Sequence, residues 1–295
     1  MLGVNTYLAS ILITGGQGQL AKALCHHPLA KQFRLIPCSH QQLDITNSRS
    51  IQTAFREYQP DIVVNAAAYT AVDRAEEERE QAACINHHGA RQLALACNDK
   101  HIPLIHLSTN YIFDGRKTAA YTEEDAANPI NYYGETKWLG EEAVRAECEQ
   151  HIILRVASLF GEFGNNYLKT MLQLSRDRTE LRIVADQISN PTYTGDIASA
   201  ILNMATQTLH TWGTYHFANV PPCSWYDFTL AIIEEMHRHT HVKVEKVAAI
   251  TTEDYPRPAN RPLNAVLDSN KISADYQIEL TDWQLALQSI IKPML

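Results

Sequence analysis

Tyr133 and Lys137 stand four residues apart in the run Asn131-Tyr132-Tyr133-Gly134-Glu135-Thr136-Lys137. On a helix that spacing puts both side chains on one face. A free tyrosine titrates near ~10 and is a weak acid–base group at neutral pH. Lowering that value by roughly three units takes about 4 kcal/mol of preference for the phenolate. One ammonium at ~4 Å supplies about that much at an effective dielectric of ~20. The pair therefore reads as a proton donor to a carbonyl undergoing reduction. Solvated helix faces carry the same spacing, so its meaning depends on what the rest of the chain sets beside it.

A second group of residues suits phosphate. Ser10–Thr14 is a short apolar run of the kind found in a buried parallel strand. It enters Gly15-Gly16-Gln17-Gly18-Gln19-Leu20-Ala21 and then a helical pattern through Leu20, Ala23 and Leu24. Glycines there let the chain turn sharply and bring backbone N–H groups close to a pyrophosphate at a helix N-terminus. Ala21 takes the last small position, and it is small enough for close helix–strand packing. A ligand-free glycine turn is the plain alternative, but the place between strand and helix favours a dinucleotide.

These residues need a scaffold, and the chain alternates strands and helices to about residue 160. Strands are expected at 33–37, 61–65, 102–107 and 152–156, with helices at 47–58, 76–100 and 133–147. That order implies right-handed crossovers and a Rossmann-type, doubly wound parallel sheet in an α/β protein. Ligands on such sheets bind beyond the carboxyl ends of the strands. Polar residues punctuate those ends at Thr14, Ser39, Asn65 and Ser108-Thr109-Asn110. Beyond 160 the alternation breaks down. Helices are expected at 167–177, 194–205 and 281–291, and strands at 181–184 and 213–218. We expect a nucleotide-binding domain over 1–160, with returning segments near 181–219. A smaller, interleaved substrate-binding lobe would take most of 161–295.

Composition narrows the partners. The 295 residues carry a net charge of −8 with no basic run, which speaks against nucleic acid. No apolar run reaches the length of a membrane span, and the first nine residues lack the pattern of a signal peptide. The six cysteines have no paired spacing and read as free thiols of a cytoplasmic protein. The 13 histidines show no metal-ligand spacing, and no metal is expected. A homodimer is the commonest soluble oligomer and the default here. Trp225 and Trp283 fall on apolar helix faces and are expected in the core.

In order along the chain stand TGGQGQL, LDIT, PDIVVNAAAYTAVDRAE, STNYIFDG, NPINYYGETKWLGE, FGNNYLKTML, ADQISNPTYT, SWYDF and EDYPRPANRPLNAVLD. Together they resemble the dTDP-4-dehydrorhamnose reductase family of extended short-chain dehydrogenases/reductases, nearly end to end. The resemblance implies reduction of the C4 keto group of a nucleotide-linked 6-deoxyhexose by NADH or NADPH. It implies that Tyr133 protonates the alkoxide. Lys137 would lower the Tyr133 pKa and bind the nicotinamide ribose, and Thr109 would orient the carbonyl. Cofactor contacts carry over to Gly15, Gln17, Gly18 and Gln19, to Asp44 and Ile45, and to Ala68, Tyr69, Thr70 and Leu107. Asp44 reads equally as a helix-entry residue ahead of Thr46 and Asn47. The second strand ends Pro37-Cys38-Ser39-His40 without an acid or an arginine. Ser39 and His40 suit a 2′-phosphate and tip the expectation towards NADPH.

Two positions depart from the family pattern. Asn110 stands where the family carries aspartate, and Ser158 where it carries a tryptophan that packs on the sugar. Both point to altered sugar specificity. Arg257 and Arg261, in a proline-rich loop, suit a diphosphate clamp or a plain surface loop equally. Another nucleotide ketosugar is the alternative substrate. A non-catalytic subunit resembling the regulatory subunit of methionine adenosyltransferase is the alternative class, and the retained Tyr133, Lys137 and Thr109 speak against it.

Overall fold

The computed structural model describes residues 8–207 and 211–295. Most of the segment read above for a signal peptide, residues 1–7, lies outside the described residues. Five strands come first in the chain: β1 (Ser10–Thr14), β2 (Arg34–Pro37), β3 (Ile62–Asn65), β4 (Leu104–Thr109) and β5 (His151–Val156). Strand Gly213–Phe217 adds a sixth beside β5, so the sheet runs 213–217, β5, β4, β3, β1, β2, parallel throughout. The chain passes from β1 to β2 on one side and returns to β3 on the other. That reversal opens a crevice above β1 and β3.

The strands are apolar on both faces because helices cover both. On one face α1 (Gln19–His26) and helix Thr194–Thr206 pack on Ile11, Ile13, Val64 and Ile105. On the other, α2 (Ser48–Tyr58), α4 (Ala90–Asp99) and α5 (Tyr132–Glu147) cover Leu12, Val63, Leu104 and Ile153. The single helix expected over 76–100 is instead a short α3 (Arg79–Ala83), a π-helical segment Cys84–Gly89, and α4. The widened turn places Asn86 where its side chain bonds both the N–H and the C=O of Tyr69, and also Thr136 of α5. Tertiary hydrogen bonding has overridden the regular helical repeat.

Within 181–219 the segments go to different places. Strand Gly213–Phe217 and helix Thr194–Thr206 join the main sheet, whereas Glu180–Val184 pairs in parallel with Lys246–Ile250 in a separate two-stranded sheet. Around that pair, helices Tyr167–Asp177, Trp225–His237 and Trp283–Met294 enclose a second core built on Phe160, Phe228 and Trp283. Ser224 and Asp227 form a reciprocal capping box that starts the middle helix.

Candidate active site

The glycine turn is shaped by close approach. Gly15 holds φ +64°, a conformation that side chains disfavour. A β-carbon on Gly16 would lie 2.7 Å from the backbone of Pro37. Gly18 is the N-cap of α1 and supplies no side-chain bond, so the first N–H groups of that helix are left for an anion. This cradle fits the pyrophosphate of a dinucleotide, and it opens into a cleft of about 1060 Å³. Gly15, Gln17, Gly18, Gln19, Asp44, Ile45, Ala68, Thr70 and Leu107 all line that cleft. Thr109, Asn110, Tyr133, Lys137, Ser158 and Arg261 line its other end.

Three of the expected residues lie elsewhere. Tyr69 is buried beside the cleft, where its hydroxyl donates to Glu78 at 2.7 Å. Ser39 is outside the lining, its hydroxyl and N–H both donating to Gln42 Oε1 at 2.9 Å, while His40 is in it. Arg257 binds Asp73 and stays outside the cleft. Arg261 reaches the cleft but binds Asp73 as well. Asp44 organises the turn before α2 by accepting from Thr46, and it also lines the cleft. Asn47, not Asp44, caps α2.

Helix α5 brings Tyr133 and Lys137 to the cleft. Asn131 caps it by accepting from Gly134 N–H at 2.8 Å, and Glu76 accepts from Tyr132 N–H. A β-carbon on Gly134 would lie 2.1 Å from Tyr111 O, and one on Gly140 would lie 2.2 Å from Asn86 O. Gly134 lets α5 press on the turn that follows β4, and Gly140 lets it press on the π-helical segment. Tyr133 thereby comes beside Thr109 and meets the Tyr111 ring edge-on at 6.0 Å.

The electrostatics differ from the expectation. Burial pushes the Tyr133 phenol up to about 12, with the neighbouring Thr109 hydroxyl offsetting part of the rise. The Lys137 ammonium donates to Leu107 O at 2.6 Å. Burial draws Lys137 itself down to about 8, and Glu141 resists that fall. Burial therefore holds the phenol in its neutral form.

The two departures from the family pattern meet on one residue. Asn110 Nδ2 donates to Ser189 Oγ at 3.1 Å and to Ala265 O at 2.9 Å. Ser158, at φ +43°, donates to the same Ser189 Oγ at 3.0 Å. Asn110 thus fastens the end of β4 to the segments around Ser189 and Ala265.

Trp225 packs against the second core as expected, and it also stands in the cleft wall, its ring 4.4 Å from that of Tyr167. Its position at the first turn of a helix, just past the Ser224 cap, is the signal that could have shown an end-on exposure. Trp283 is buried as expected, with its indole N–H donating to Pro221 O. Gly164, Asn165 and Asn166 also line the cleft, and Asn166 reaches Gln19 at 3.4 Å. Among the described residues no group of three or more His, Cys, Asp or Glu is arranged to hold a metal ion, and no helix is long and apolar enough to cross a membrane.

A glycine cradle at the switch point, with a tyrosine, a lysine and a threonine along one cleft wall, defines a dinucleotide-binding protein of the Rossmann class. Comparison with known proteins is more specific. The chain belongs to the family described as RmlD substrate binding domain, whose model matches residues 9–295. It is 40% identical to a dTDP-4-dehydrorhamnose reductase of Aggregatibacter actinomycetemcomitans, over 96% of this chain and 98% of that protein. It is 37% identical to the spore coat polysaccharide biosynthesis protein SpsK of Bacillus subtilis (strain 168), over 97% and 98%. A dTDP-4-dehydrorhamnose reductase from Bacillus anthracis str. Ames, solved in complex with NADP, superposes with a TM-score of 0.91 at 34% identity, covering 97% of this chain and 99% of that one.

Proposed function

We propose that this protein is an NADPH-dependent oxidoreductase that reduces the C4 keto group of dTDP-4-dehydro-L-rhamnose to give dTDP-L-rhamnose. The observation that carries the reading is the placing of Tyr133, Thr109 and Lys137 on one wall of the cleft that begins at the glycine cradle. The names of the full-length relatives support the substrate, and the NADP complex of one of them supports the cofactor.

When bound, the nicotinamide supplies hydride to C4. The chain's own residues do the rest. Tyr133 gives its proton to the C4 oxygen as charge develops there, so that the carbonyl becomes a secondary alcohol. Thr109 holds that oxygen through its hydroxyl. Lys137 stands where the ribose hydroxyls of a dinucleotide would meet its ammonium. Gly15, Gln17, Gly18 and Gln19 take the pyrophosphate, and Asp44, Ile45, Ala68, Thr70 and Leu107 flank the rest of the cofactor. Asn110, Ser158 and Arg261 shape the sugar end. Retention of the whole acid–base set favours a catalyst over a regulatory subunit.

The proposed division is a nucleotide-binding domain over 1–160, completed by the segments that return to its sheet, with a substrate lobe from the remainder. We place the protein in the cytoplasm, as a homodimer that light scattering would reveal. Oxidation of NADPH and NADH at 340 nm with enzymatically generated dTDP-4-dehydro-L-rhamnose tests the function. Tyr133→Phe should lower kcat by about 10²–10⁴-fold while cofactor still binds. Unchanged turnover in that variant would sink the assignment of the acid. A higher kcat/KM for a different nucleotide ketosugar would sink the assignment of the substrate.

A further inference from the structure

Glu141 lies one turn beyond Lys137 on α5 and is fully buried. A buried carboxylate is costly unless its lone pairs are filled. Those of Glu141 are filled from three directions. Ser108 Oγ of β4 donates at 2.5 Å. Arg155 of β5, itself buried, donates from Nε at 3.0 Å and from a terminal nitrogen at 2.8 Å. Arg145, one turn further along α5, donates at 2.7 Å. Ser108 precedes Thr109, and Arg155 lies three residues before Ser158. One carboxylate thus ties the helix of the acid–base pair to both strand ends that frame the cleft.

The charge of this carboxylate, four residues after Lys137 on the same helix, favours the Lys137 ammonium. The titratable and charged groups packed around the two are Tyr133 and Arg145 on α5, His106 on β4, Arg155 on β5, and His216 on the edge strand behind Arg155. His106 and His216 are driven neutral by burial, and the arginines are cations. Among the described residues of this cluster, Glu141 supplies the negative charge.

We propose that Glu141 is a positioning residue of the active site, which clamps α5 to the ends of β4 and β5 and holds the Lys137 ammonium in place by its charge. This rests on the reductase reading, in which Lys137 works as an ammonium, but its physical content does not. Glu141→Gln keeps the size of the side chain and removes the charge. Arg145→Met, at a partly exposed position, leaves Glu141 less neutralised and removes a cation that repels Lys137. The two changes act on Lys137 in opposite directions, a result that loss of packing alone would not produce.

The experiment follows the Lys137 Nζ resonance by 15N NMR through a pH titration, with Lys137→Arg for assignment, in the full-length protein and both variants. Lys137 should lose its proton about one pH unit lower in Glu141→Gln and at higher pH in Arg145→Met. In the reductase assay the alkaline limb of kcat should move in the same two directions, with kcat lowered roughly tenfold in Glu141→Gln. Arg145→Met keeps the test open if Glu141→Gln does not fold. Titration midpoints equal to wild type overturn the proposal, whether or not turnover is seen. Shifted midpoints without turnover in the wild type uphold it and reject the reductase reading instead.

Discussion

At the scale of single residues, the orientation of a side chain depends on the nearest partner that can satisfy it. Lys137 has the spacing to serve Tyr133, yet its ammonium sits on Leu107 O, and the phenol stays protonated well above neutrality. Asn110 was read as a sugar contact. It also carries a structural duty that aspartate could not perform, since its N–H bonds go to two acceptors, Ser189 Oγ and the carbonyl of Ala265. Asn110→Asp would set a carboxylate oxygen against Ala265 O across the 2.9 Å now spanned by an N–H bond. The expected loss is about 1–3 kcal/mol of stability, from a buried acceptor left without a donor. Thermal unfolding should show a clearly lower Tm, and an equal Tm would show that Asn110 is not a tie.

At the scale of elements, the proline-rich loop is held over the cleft by an ion pair with the loop that follows β3. Asp73 takes Arg257 and Arg261 together, and Ala259 N–H donates to it at 3.3 Å. Burial raises the Asp73 carboxyl, but the bonds from the two arginines outweigh this and bring it to about 2. A carboxyl lowered on folding contributes stability that is full above its ordinary value of 3.8 and is lost as pH falls towards about 2. Asp73→Asn should therefore reduce stability at pH 7 by about 1 kcal/mol, because the pair is partly exposed. The difference from wild type should shrink below pH 4, in chemical unfolding across pH 2–7. A gap that persists unchanged at about pH 2 would show that charge is not what holds the loop. Arg261 lines the cleft from this anchored loop, so the variant should also raise the KM for the nucleotide sugar more than it lowers kcat.

At the scale of the whole molecule, the proposed nucleotide-binding domain and substrate lobe share their framework. Strand Gly213–Phe217 completes the sheet at β5, and Tyr215 and Phe217 enter the core of the nucleotide-binding face. Beneath the cleft, Asn219 donates to Asp196 at 2.7 Å and to Thr281, while its oxygen accepts from Tyr193 N–H. A fragment of residues 1–160 would leave β5 as a bare edge and lose helix Thr194–Thr206 from one face of the sheet. That fragment should fail to give native circular dichroism, whereas the full chain should unfold in one transition that coincides by fluorescence and circular dichroism. Two separated transitions would show that the lobes are independent units.

Local pattern determined much of this protein. The strand–glycine–helix unit at residues 10–26, the alternation through residue 160 and the shared face of Tyr133 and Lys137 depend on turn chemistry and periodicity, which neighbouring residues specify. Only the tertiary structure decided what those residues meet. The π-helical segment exists because Asn86 must satisfy Tyr69 and Thr136 from distant elements. Arg261 is turned to Asp73 by a contact across 188 positions, and Trp225 lies in the cleft because its helix begins there. The Tyr133 phenol is high because the assembled cleft removes water from it, and desolvation is a property of the packed surroundings.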